Sequence, residues 1–550
     1  MSSLDRFASS FDKFVVTSDG MPLAYLFAGL TCVALVWRSC ASSAAEEKRR
    51  FAVADDAEER RKRWKILGKK SQPELGDVPT LVSEMRDAFE SGCTLPLENR
   101  RAALKALLAM VTENEKAIVD AVWEDLKRPT GETLYYDVLM IQGELRKLIK
   151  NLKRWTAPER VGDFSLLTFP SSQWIEKDPY GVVLIVGPFN FPFLLTAGVV
   201  AGAVAAGNNV VLKPSNDVPK STALLAELFA RYLDPRVVSV VGHGIPGNGV
   251  DVMEALLTEK FDYIFFTGST RVGSIVAQRA AAKLTPYTLE LGGKNPVFVT
   301  PTADLSLAAK QCAWGRTLNC GQQCISPEYV LCHRSVLDEF TSQLRRWIQE
   351  LIPDPFAEGA MGRVVGSRDA MGRVAALLGK IGTRGETLVC GGGFNAATRA
   401  VEPTVVMCDW DSELMLEELF CPILCIVPYD DLQVAMAQVR ARPKPLALYV
   451  FARDRKEQRA VLDNTTAGGV TINGVLYHAG HPSLPFGGVG ESGFGAYHGR
   501  HSIDCFQHRK PVLQKWRDVY DGGVLSDPFF VYGPHEGIKM KLLRLVGNLS

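Results

Sequence analysis

Two cysteines, four residues apart, mark the most chemically informative stretch of the chain. Cys320 and Cys324 follow a helical pattern that starts near Ala303, and the chain turns at Gly321 into what we predict is an exposed loop. A thiol on a loop over a rigid scaffold is where a nucleophilic cysteine is expected. Most cysteines are small buried hydrophobic residues, so the thiol alone does not define a site.

A carboxylate lies upstream of this pair in an apolar, strand-like run. Glu290 is flanked by Leu289 and Leu291 and is followed by the double glycine Gly292–Gly293. Apolar flanks predict that this carboxylate is buried. A thiol, a buried carboxylate and glycine-rich turns together indicate covalent chemistry at a carbonyl carbon.

Three further polar positions follow strand-like segments. Asn190 comes after the apolar run Gly181–Gly187, Lys213 ends a second run, and Gly268–Gly273 separates the run Phe261–Phe266 from a helix. The asparagine amide can donate to a developing oxyanion, and small residues let a pyrophosphate approach the backbone at a helix N-terminus. Each position also has a simpler interpretation. Asn190 can be a turn residue that bonds its own backbone, Lys213 a surface lysine, and Gly268–Gly273 merely a tight turn.

The segments that must position these residues alternate between strands and helices. Apolar runs of strand length alternate with helical patterns from residue 181 to about 294, and the same style recurs over residues 295–480. Such alternation predicts doubly wound parallel sheets, in which ligands bind beyond the carboxyl ends of the strands. The predicted fold class is therefore α/β.

Composition narrows the classes of function. A chain of 550 residues is long enough for two or three domains, and its 47% hydrophobic residues are ordinary for a globular protein. The net charge of +1 argues against nucleic acid as a partner. The 12 cysteines form no dense framework, which favours a reducing compartment. The pairs Cys320/Cys324 and Cys421/Cys425 are weak zinc motifs, and we predict no metal site.

An uncharged run near the N-terminus predicts a membrane anchor. Residues 20–37 carry no charge and would span about 27 Å as a helix, which is just enough to cross a bilayer. A cleaved signal peptide and a buried helix are the alternatives. Basic residues are denser after the run than before it, which predicts that the bulk of the protein faces the cytosol, at the endoplasmic reticulum or another organelle. The charge-dense residues 46–77 are predicted to form a stalk.

Seven motifs in one order resemble those of the aldehyde dehydrogenase superfamily. They are Gly187–Pro192, Lys213–Ser215, Phe266–Gly273, Leu289–Lys294, Asn319–Cys324, Glu417–Ile423 and Pro485–Gly490. The resemblance covers roughly residues 78–515. It is closest to the class 3 and fatty aldehyde dehydrogenase branch, on account of Tyr135–Tyr136, Asn319–Gly321, Gly495–Ser502 and Tyr532–Gly537.

The resemblance implies a catalytic role for three residues. Cys324 would be the nucleophile and Glu290 the general base, and Asn190 would form the oxyanion hole with the Cys324 backbone N–H. Cys320 would be a packed neighbour. The implied reaction is thiolate attack to a thiohemiacetal, loss of hydride to the cofactor, and hydrolysis of the thioester.

The resemblance also implies a binding site for NAD or NADP. Its residues would be Lys213, Ser215, Asn216, Gly268, Ser269, Thr270, Arg271, Val272, Gly273, Glu418 and Phe420. Lys213 and Glu418 would hold the ribose groups, Ser269 the pyrophosphate and Phe420 the nicotinamide side. Two positions depart from the family pattern. Cys421 replaces a usual glycine, and Asn216 replaces an acid that would repel a 2′-phosphate, so the preference between NAD and NADP stays open.

The charge and hydrophobic patterns predict an N-terminal segment with the anchor (1–45), a stalk (46–77) and a tail that can form an amphipathic helix (516–550). The resemblance implies a Rossmann-like cofactor domain (78–292) with a bridging hairpin (156–180), a catalytic domain (293–480), and a bridging strand and catalytic loop (481–515). The small β bridging element implies a homodimer.

The function we expect is NAD(P)-dependent oxidation of medium- or long-chain aliphatic aldehydes to carboxylates by a membrane-tethered enzyme. One alternative is CoA-acylating oxidation, in which CoA instead of water takes the acyl group. The other is a tethered, inactive scaffold that keeps only the fold. Retention of Glu290 favours hydrolysis, and an intact thiol, carboxylate and amide disfavour the scaffold.

Overall fold

The computed structural model describes residues 77–163, 168, 171–242, 249–365, 369–515 and 533–549. These residues belong to one compact unit, Ser71–Ser550. The predicted anchor at residues 20–37 lies outside the described residues, as does nearly all of the predicted stalk. Within the described ranges, no helix is both long and apolar enough to cross a membrane.

The strands, in chain order, are β1 Glu159–Arg160, β2 Ser171–Pro179, β3 Val182–Val186, β4 Asn209–Lys213, β5 Val238–Val240, β6 Tyr263–Thr267, β7 Tyr287–Glu290, β8 Pro296–Val299, β9 Tyr329–His333, β10 Thr387–Cys390, β11 Phe394–Asn395, β12 Ala400–Val401, β13 Thr404–Met407, β14 Ile423–Tyr429, β15 Ala447–Phe451, β16 Gly469–Ile472, β17 Gly493–Phe494 and β18 Gln507–Lys515.

Among the described residues, the helices longer than eight residues are α1 Val78–Glu90, α2 Leu97–Glu113, α3 Glu115–Leu126, α4 Met140–Thr156, α5 Leu194–Ala206, α6 Pro219–Tyr232, α7 Gly249–Thr258, α8 Thr270–Ala281, α9 Leu305–Thr317, α10 Leu337–Leu351, α11 Ala370–Leu378, α12 Leu432–Arg440, α13 Arg455–Asn464 and α14 Ile538–Leu549.

The helical pattern over residues 97–126 is interrupted where the sequence shows no break. Asn114 has φ −116° and ψ 21°, so α2 ends and α3 begins around it. Before α4, the segment Leu134–Leu139 is a π-helix that follows the single turn Thr130–Thr133. Short π-helical segments are frequent at functional sites.

A six-stranded sheet has the order β17-β7-β6-β3-β4-β5, and all pairs except β17 with β7 are parallel. The central strands β3, β4 and β6 are buried along their length because helices cover both faces, so they contain mostly apolar residues. From β3 the chain first adds β4 and β5 on one side and then adds β6 and β7 on the other side of β3. The carboxyl ends of β3, β4, β6 and β7 therefore meet at one edge, where such sheets bind ligands.

A seven-stranded sheet has the order β10-β13-β14-β9-β8-β15-β16 and is parallel except for the pairing of β10 with β13. The two sheets and their helices confirm the predicted α/β fold class. The helix α9 leads from this sheet into the loop that carries Cys324.

A third, three-stranded sheet joins distant parts of the chain. β1 and β2 form the hairpin predicted near residues 156–180, and β18 pairs antiparallel with β2 from Gln507 opposite Pro179 to Lys515 opposite Ser171. The strand thus begins later than the predicted bridging strand. Earlier in that segment, β17 instead adds to the six-stranded sheet, with Gly493 opposite Glu290.

Candidate active site

The loop that carries both cysteines, residues 318–327, is buried. Cys320 and its neighbour Gln322 have no exposed surface, whereas Cys324 is partly exposed. The prediction of an exposed loop is therefore wrong. Asn319 and Cys320 have φ values of 49° and 57°, in the left-handed region that non-glycine residues seldom adopt. Such strain persists only where the surroundings impose it.

Amide side chains hold this loop in place. The Gln322 amide donates to the backbone oxygens of Asn319 and Arg363, at 3.1 and 3.0 Å. The Asn295 amide donates to the backbone oxygens of Cys324 and Ser326, both at 2.9 Å. Asn295 was not predicted as a site residue. Its position directly after Leu289–Lys294 was the only signal available for it.

The three predicted catalytic residues converge on this loop. Asn190 is 3% exposed, and its amide donates to the backbone oxygen of Gln322 at 3.0 Å, two residues before Cys324. Asn190 follows β3, and Glu290 is the last residue of β7. Glu290 is 2% exposed, and neither carboxyl oxygen has a hydrogen-bond partner among the described residues.

Burial sets the protonation of these groups. It raises the pKa of Glu290 well above its ordinary value. It also raises the pKa of the Cys324 thiol, and the nearby carboxyls of Glu418 and Glu290 raise it further. The raised pKa of the thiol favours its neutral form at neutral pH. The raised pKa of Glu290 makes its carboxylate a stronger base, which suits proton transfer.

A buried ion pair that was not predicted supports Asn190. Arg128 has no exposed surface, and its guanidinium pairs with Asp137 and donates to the backbone oxygen of Asn190 at 3.0 Å. Asp137 in turn accepts hydrogen bonds from the backbone amides of Phe193 and Leu194 at 2.9 and 2.7 Å, at the start of α5. The segment that presents Asn190 is therefore fixed from both ends.

A second carboxyl, that of Glu132, contacts the loop of residues 318–327. Glu132 accepts a hydrogen bond from the backbone amide of Asn319 at 3.0 Å. Burial raises the pKa of Glu132 to about 7, against the opposing effects of the Asn319 amide and Arg128. This contact holds the first left-handed residue of the loop.

The predicted cofactor residues on β4 lie together. The Lys213 ammonium donates to the Asn216 side-chain oxygen at 3.1 Å, and the Asn216 amide donates to the backbone oxygen of Gly242 at 3.3 Å. Burial lowers the pKa of Lys213 to about 8. Ser215 accepts a hydrogen bond from the backbone amide of Asp217 at 3.2 Å, so its hydroxyl shapes the turn.

The glycine-containing turn Gly268–Gly273 connects β6 to α8. The Ser269 hydroxyl accepts from the Val272 amide at 3.4 Å and caps α8, while Thr270 and Arg271 are exposed in its first turn. A Cβ atom on Gly273 would lie 2.6 Å from Leu291 Cδ2. Glycine there leaves room for the Leu291 side chain where α8 packs beside the strand that ends in Glu290.

Glu418 and Phe420 approach the same edge from the other sheet. A Cβ atom on Gly292 would lie 2.3 Å from Glu418 Oε2, so only glycine admits this carboxyl. Burial and the neighbouring Glu328 raise the pKa of Glu418 to about 8. Phe420 has φ 51°, and its ring centroid lies 6.0 Å from that of Phe189.

A buried ionic network joins this segment to the cysteine loop. Arg316, at the end of α9, pairs with Glu328 at 2.6 Å, and Lys294 pairs with the same carboxylate at 3.0 Å. Glu328 also accepts a hydrogen bond from the Leu419 amide at 2.8 Å. Arg316 donates to the backbone oxygen of Cys421, whose side chain is buried.

Every predicted site residue thus lies on the loop, at the carboxyl edge of the six-stranded sheet, or on the segment that faces this edge. No cluster of three or more His, Cys, Asp or Glu side chains able to hold a metal ion occurs in the described part of the chain.

Comparison with known proteins agrees with this arrangement. A sequence profile of the Aldehyde dehydrogenase family matches residues 48–512. Aldehyde dehydrogenase family 3 member A2 of Mus musculus is 40% identical over 436 residues, which are 79% of this chain and 88% of the mouse protein. The Canis lupus familiaris protein named "Aldehyde dehydrogenase, dimeric NADP-preferring" is 38% identical over 441 residues, 80% of this chain and 95% of the dog protein.

Solved structures show the same likeness. The substrate-bound state of Staphylococcus aureus AldH superimposes with a TM-score of 0.79 at 34% identity, covering 85% of this chain and 99% of that one. The NAD+ complex of an aldehyde dehydrogenase from Bacillus cereus gives a TM-score of 0.73 at 25% identity, covering 80% and 89%.

Fold, site and comparisons define a nicotinamide-dinucleotide-dependent oxidoreductase. The chain belongs to the aldehyde dehydrogenase family. It is an aldehyde dehydrogenase that uses NAD(P). Among the relatives reported above, the mouse protein to which it is similar is a member of aldehyde dehydrogenase family 3.

Proposed function

We propose that this enzyme oxidises medium- and long-chain aliphatic aldehydes to carboxylic acids by hydrolysis of a Cys324 thioester. The observation that carries the proposal is the convergence of three groups on one buried loop. Asn190 donates to the loop two residues before Cys324, and Glu290 lies within electrostatic range of the Cys324 thiol with both oxygens free of partners among the described residues.

In the first step, the Cys324 thiol, which is partly exposed, releases its proton to solvent. Its sulfur bonds to the aldehyde carbon, and the carbonyl oxygen takes the electron pair of the C=O π bond and becomes an oxyanion. The Asn190 amide has two N–H donors, and one of them is used on Gln322. The other is free to stabilise the oxyanion together with the Cys324 backbone N–H. Arg128 and Asp137 hold the segment that presents this amide, so the donor is in place before the substrate arrives.

In the last step, Glu290 takes a proton from the water that attacks the thioester. Burial raises the pKa of Glu290, which gives its carboxylate the basicity that this transfer needs. The acid product then leaves and the thiol is restored. Glu290 has no hydrolytic role in CoA-acylating oxidation, which is why its burial beside the thiol supports hydrolysis.

The residues around the edge of the sheet fit a dinucleotide. Glu418 Oε1 is buried and lacks a partner among the described residues, so it is available to a ribose hydroxyl. Lys213 lies at the carboxyl end of β4, and Asn216 beside it leaves room for a 2′-phosphate without charge repulsion. The turn Gly268–Gly273 opens α8, whose N-terminus favours a pyrophosphate. When bound, the nicotinamide supplies the hydride acceptor for the oxidation.

The proposal includes a membrane tether with the catalytic unit on the cytosolic face, supported by the uncharged residues 20–37 and the basic residues that follow them. The tail helix α14 supplies a second contact in this proposal. Ile538 and Met540 are 68% and 39% exposed, and Lys541 is exposed beside them. Such a surface suits a lipid interface, or alternatively a neighbouring protein surface. A tethered active site gains most from substrates that partition into lipid.

The proposal also includes a homodimer. The three-stranded sheet formed by β1, β2 and β18 supports it, and so does the name of the dog relative, which describes that protein as dimeric. Light scattering of the protein lacking residues 1–45 tests this proposal, since a mass of one chain would contradict it.

A substrate screen tests the proposed function. Aldehydes of two to sixteen carbons are supplied with NAD or NADP, and reduced cofactor is followed by absorbance. We expect kcat/KM to rise with chain length, since each buried methylene contributes about 0.8 kcal/mol. Equal or lower kcat/KM for a ten-carbon than for a two-carbon aldehyde would contradict the substrate preference.

Membrane extraction tests the tether separately. The full-length protein should stay with membranes in carbonate and high salt, and deletion of residues 1–45 should release active soluble enzyme. Full-length protein that washes into the supernatant would contradict the anchor but leave the catalytic proposal standing.

A further inference from the structure

A cavity of about 280 Å³ lies between α4, α5 and the chain around residues 479–502. Tyr497 lines this cavity and is itself buried. Tyr497 lies four residues after Gly493, which is paired with Glu290 between β17 and β7. The cavity therefore adjoins the active site.

An aromatic wall makes a second connection between the cavity and the site. Tyr135 lines the cavity and packs against Tyr136 with ring centroids 4.9 Å apart. Tyr136 packs against Phe191 at 5.3 Å, and Phe191 follows Asn190 in the chain. The wall thus leads from the cavity to the proposed oxyanion donor.

Three glycines line the cavity without a packing reason. Gly143 and Gly480 are exposed at the open side of the cavity, where a Cβ atom would meet nothing within 4 Å. Gly198 is buried in the wall, and a Cβ atom there would come no closer than 3.8 Å to another atom, Leu194 Cδ1. Gly143 and Gly198 lie in the interiors of α4 and α5, where glycine is less stable than alanine. Neither helix gains stability from these glycines.

Gly202, one turn further along α5, is by contrast a glycine that close packing requires. A Cβ atom there would lie 2.5 Å from the Ser502 backbone oxygen, so the helix needs glycine to approach that segment. Gly198 has no such neighbour. The absence of a side chain at Gly198 therefore leaves empty space in the cavity.

The two charged residues of the lining are already satisfied by the protein. Glu144 accepts hydrogen bonds from the Gly499 amide at 2.8 Å and from the Ser502 hydroxyl at 3.0 Å. Lys147 donates to a backbone oxygen and, at 2.7 Å, to the Ser483 hydroxyl. They call for no charged ligand, and the remaining wall is largely aliphatic and aromatic, which suits an apolar occupant.

We propose that the alkyl chain of the aldehyde occupies this cavity. The absence of side chains at Gly143, Gly198 and Gly480 would determine how wide the cavity is. The inference rests on the proposed function and adds which residues select chain length. An apolar cavity of about 150 Å³ binds benzene, so about 280 Å³ accommodates a chain on the order of ten carbons. A longer chain extends through the open side of the cavity.

A graded series at one position tests the inference. Gly198→Ala and Gly198→Leu are compared with the parent for kcat/KM on acetaldehyde, hexanal and decanal. Each excluded methylene lowers kcat/KM by about fourfold. We expect a loss of about fourfold on decanal for the alanine variant. For the leucine variant, whose side chain excludes about four methylenes, we expect about 250-fold on decanal and less than threefold on acetaldehyde. Gly143→Leu, on the other helix, should shift the profile in the same direction.

Controls separate this effect from a folding defect. Ala437→Leu adds a side chain to an exposed position of α12 and should leave the chain-length profile unchanged. The Gly198 variants should melt at or above the parent temperature, because they remove a helix glycine. Equal losses on acetaldehyde and decanal, or a parent-like profile in both leucine variants, would overturn the inference. A parent that oxidises no aldehyde would instead overturn the proposed function.

Discussion

Replacing Glu328 by glutamine tests whether a buried charge joins the cysteine loop to the segment that carries Glu418. Glu328 and Arg316 are 1% and 3% exposed, and their ion pair is 2.6 Å long. Lys294, 12% exposed, pairs with the same carboxylate at 3.0 Å. The substitution preserves the shape of the side chain and removes only its charge, so Arg316 is left buried without a counter-ion.

The expected cost follows from that burial. Breaking a buried ion pair by removing one partner costs about 3–5 kcal/mol, because an uncompensated charge stays inside the protein. We expect Glu328→Gln to lower the free energy of unfolding by about 3 kcal/mol. The two segments that Glu328 holds also lose their common acceptor, and a displacement of about 1 Å at a reacting group costs about 100-fold in rate. We expect kcat to fall by that order.

The stability difference between the parent and Glu328→Gln should depend on pH in a definite direction. Burial alone would raise the pKa of Glu328, but Arg316 and Lys294 hold it below its ordinary value. A carboxyl with a lowered pKa contributes stability that is complete above its unfolded-state pKa and is lost as the pH falls through the folded-state value. The difference between parent and variant should therefore be full at pH 7 and shrink below about pH 4.

Urea unfolding followed by tryptophan fluorescence at pH 7, 5 and 3 measures this difference. The control is Asp430→Asn, which removes an exposed partner of Arg334 at 3.0 Å and should cost no more than about 1 kcal/mol. A loss below 1 kcal/mol for Glu328→Gln at pH 7, or a loss that does not change with pH, would refute the reasoning.

Four further predictions concern residues of the site. Asn190→Ala should lower kcat by about 10²–10³-fold, as for the loss of one oxyanion donor, and a loss under tenfold in steady-state assays would contradict that role. Asn216→Glu should penalise NADP selectively by charge repulsion, so equal losses of kcat/KM for NAD and NADP would mean that this position does not sense the 2′ group. Because burial lowers the pKa of Lys213 to about 8, the attraction of the free enzyme for NADP should also weaken as the pH rises through 8. Cys324→Ala should abolish turnover and preserve cofactor binding by fluorescence titration, whereas Cys320→Ala should retain most activity; the reverse pattern would exchange the two assignments.

The strand and helix alternation was predictable because its elements are buried on both faces. A strand such as Val182–Val186 contains only apolar residues, and its length and flanking turns reveal it. Pairings between distant segments were not predictable in the same way. The two-residue strand Gly493–Phe494 has no pattern of its own, and only the packed structure brings it beside Glu290.

The burial of the cysteine loop was missed because its sequence is polar. Gln322 and Gln323 suggest solvent exposure, yet their amides satisfy backbone oxygens that would otherwise be unpaired. Glu328 was also missed, although it shows the signal that identified Glu290, an acid next to an apolar run. Its partner Arg316 lies on a separate helix, and the sequence contains no mark of that pairing.

Mass spectrometry of Glu290→Gln tests the central claim most directly. The variant is mixed with decanal and NAD, quenched in acid and digested. Since hydrolysis is slowed more than oxidation, we predict a burst of NADH and a decanoyl group on the peptide that contains Cys324, located on that residue by fragmentation. An acyl group on Cys320, or a burst with no acylated peptide, would contradict the account.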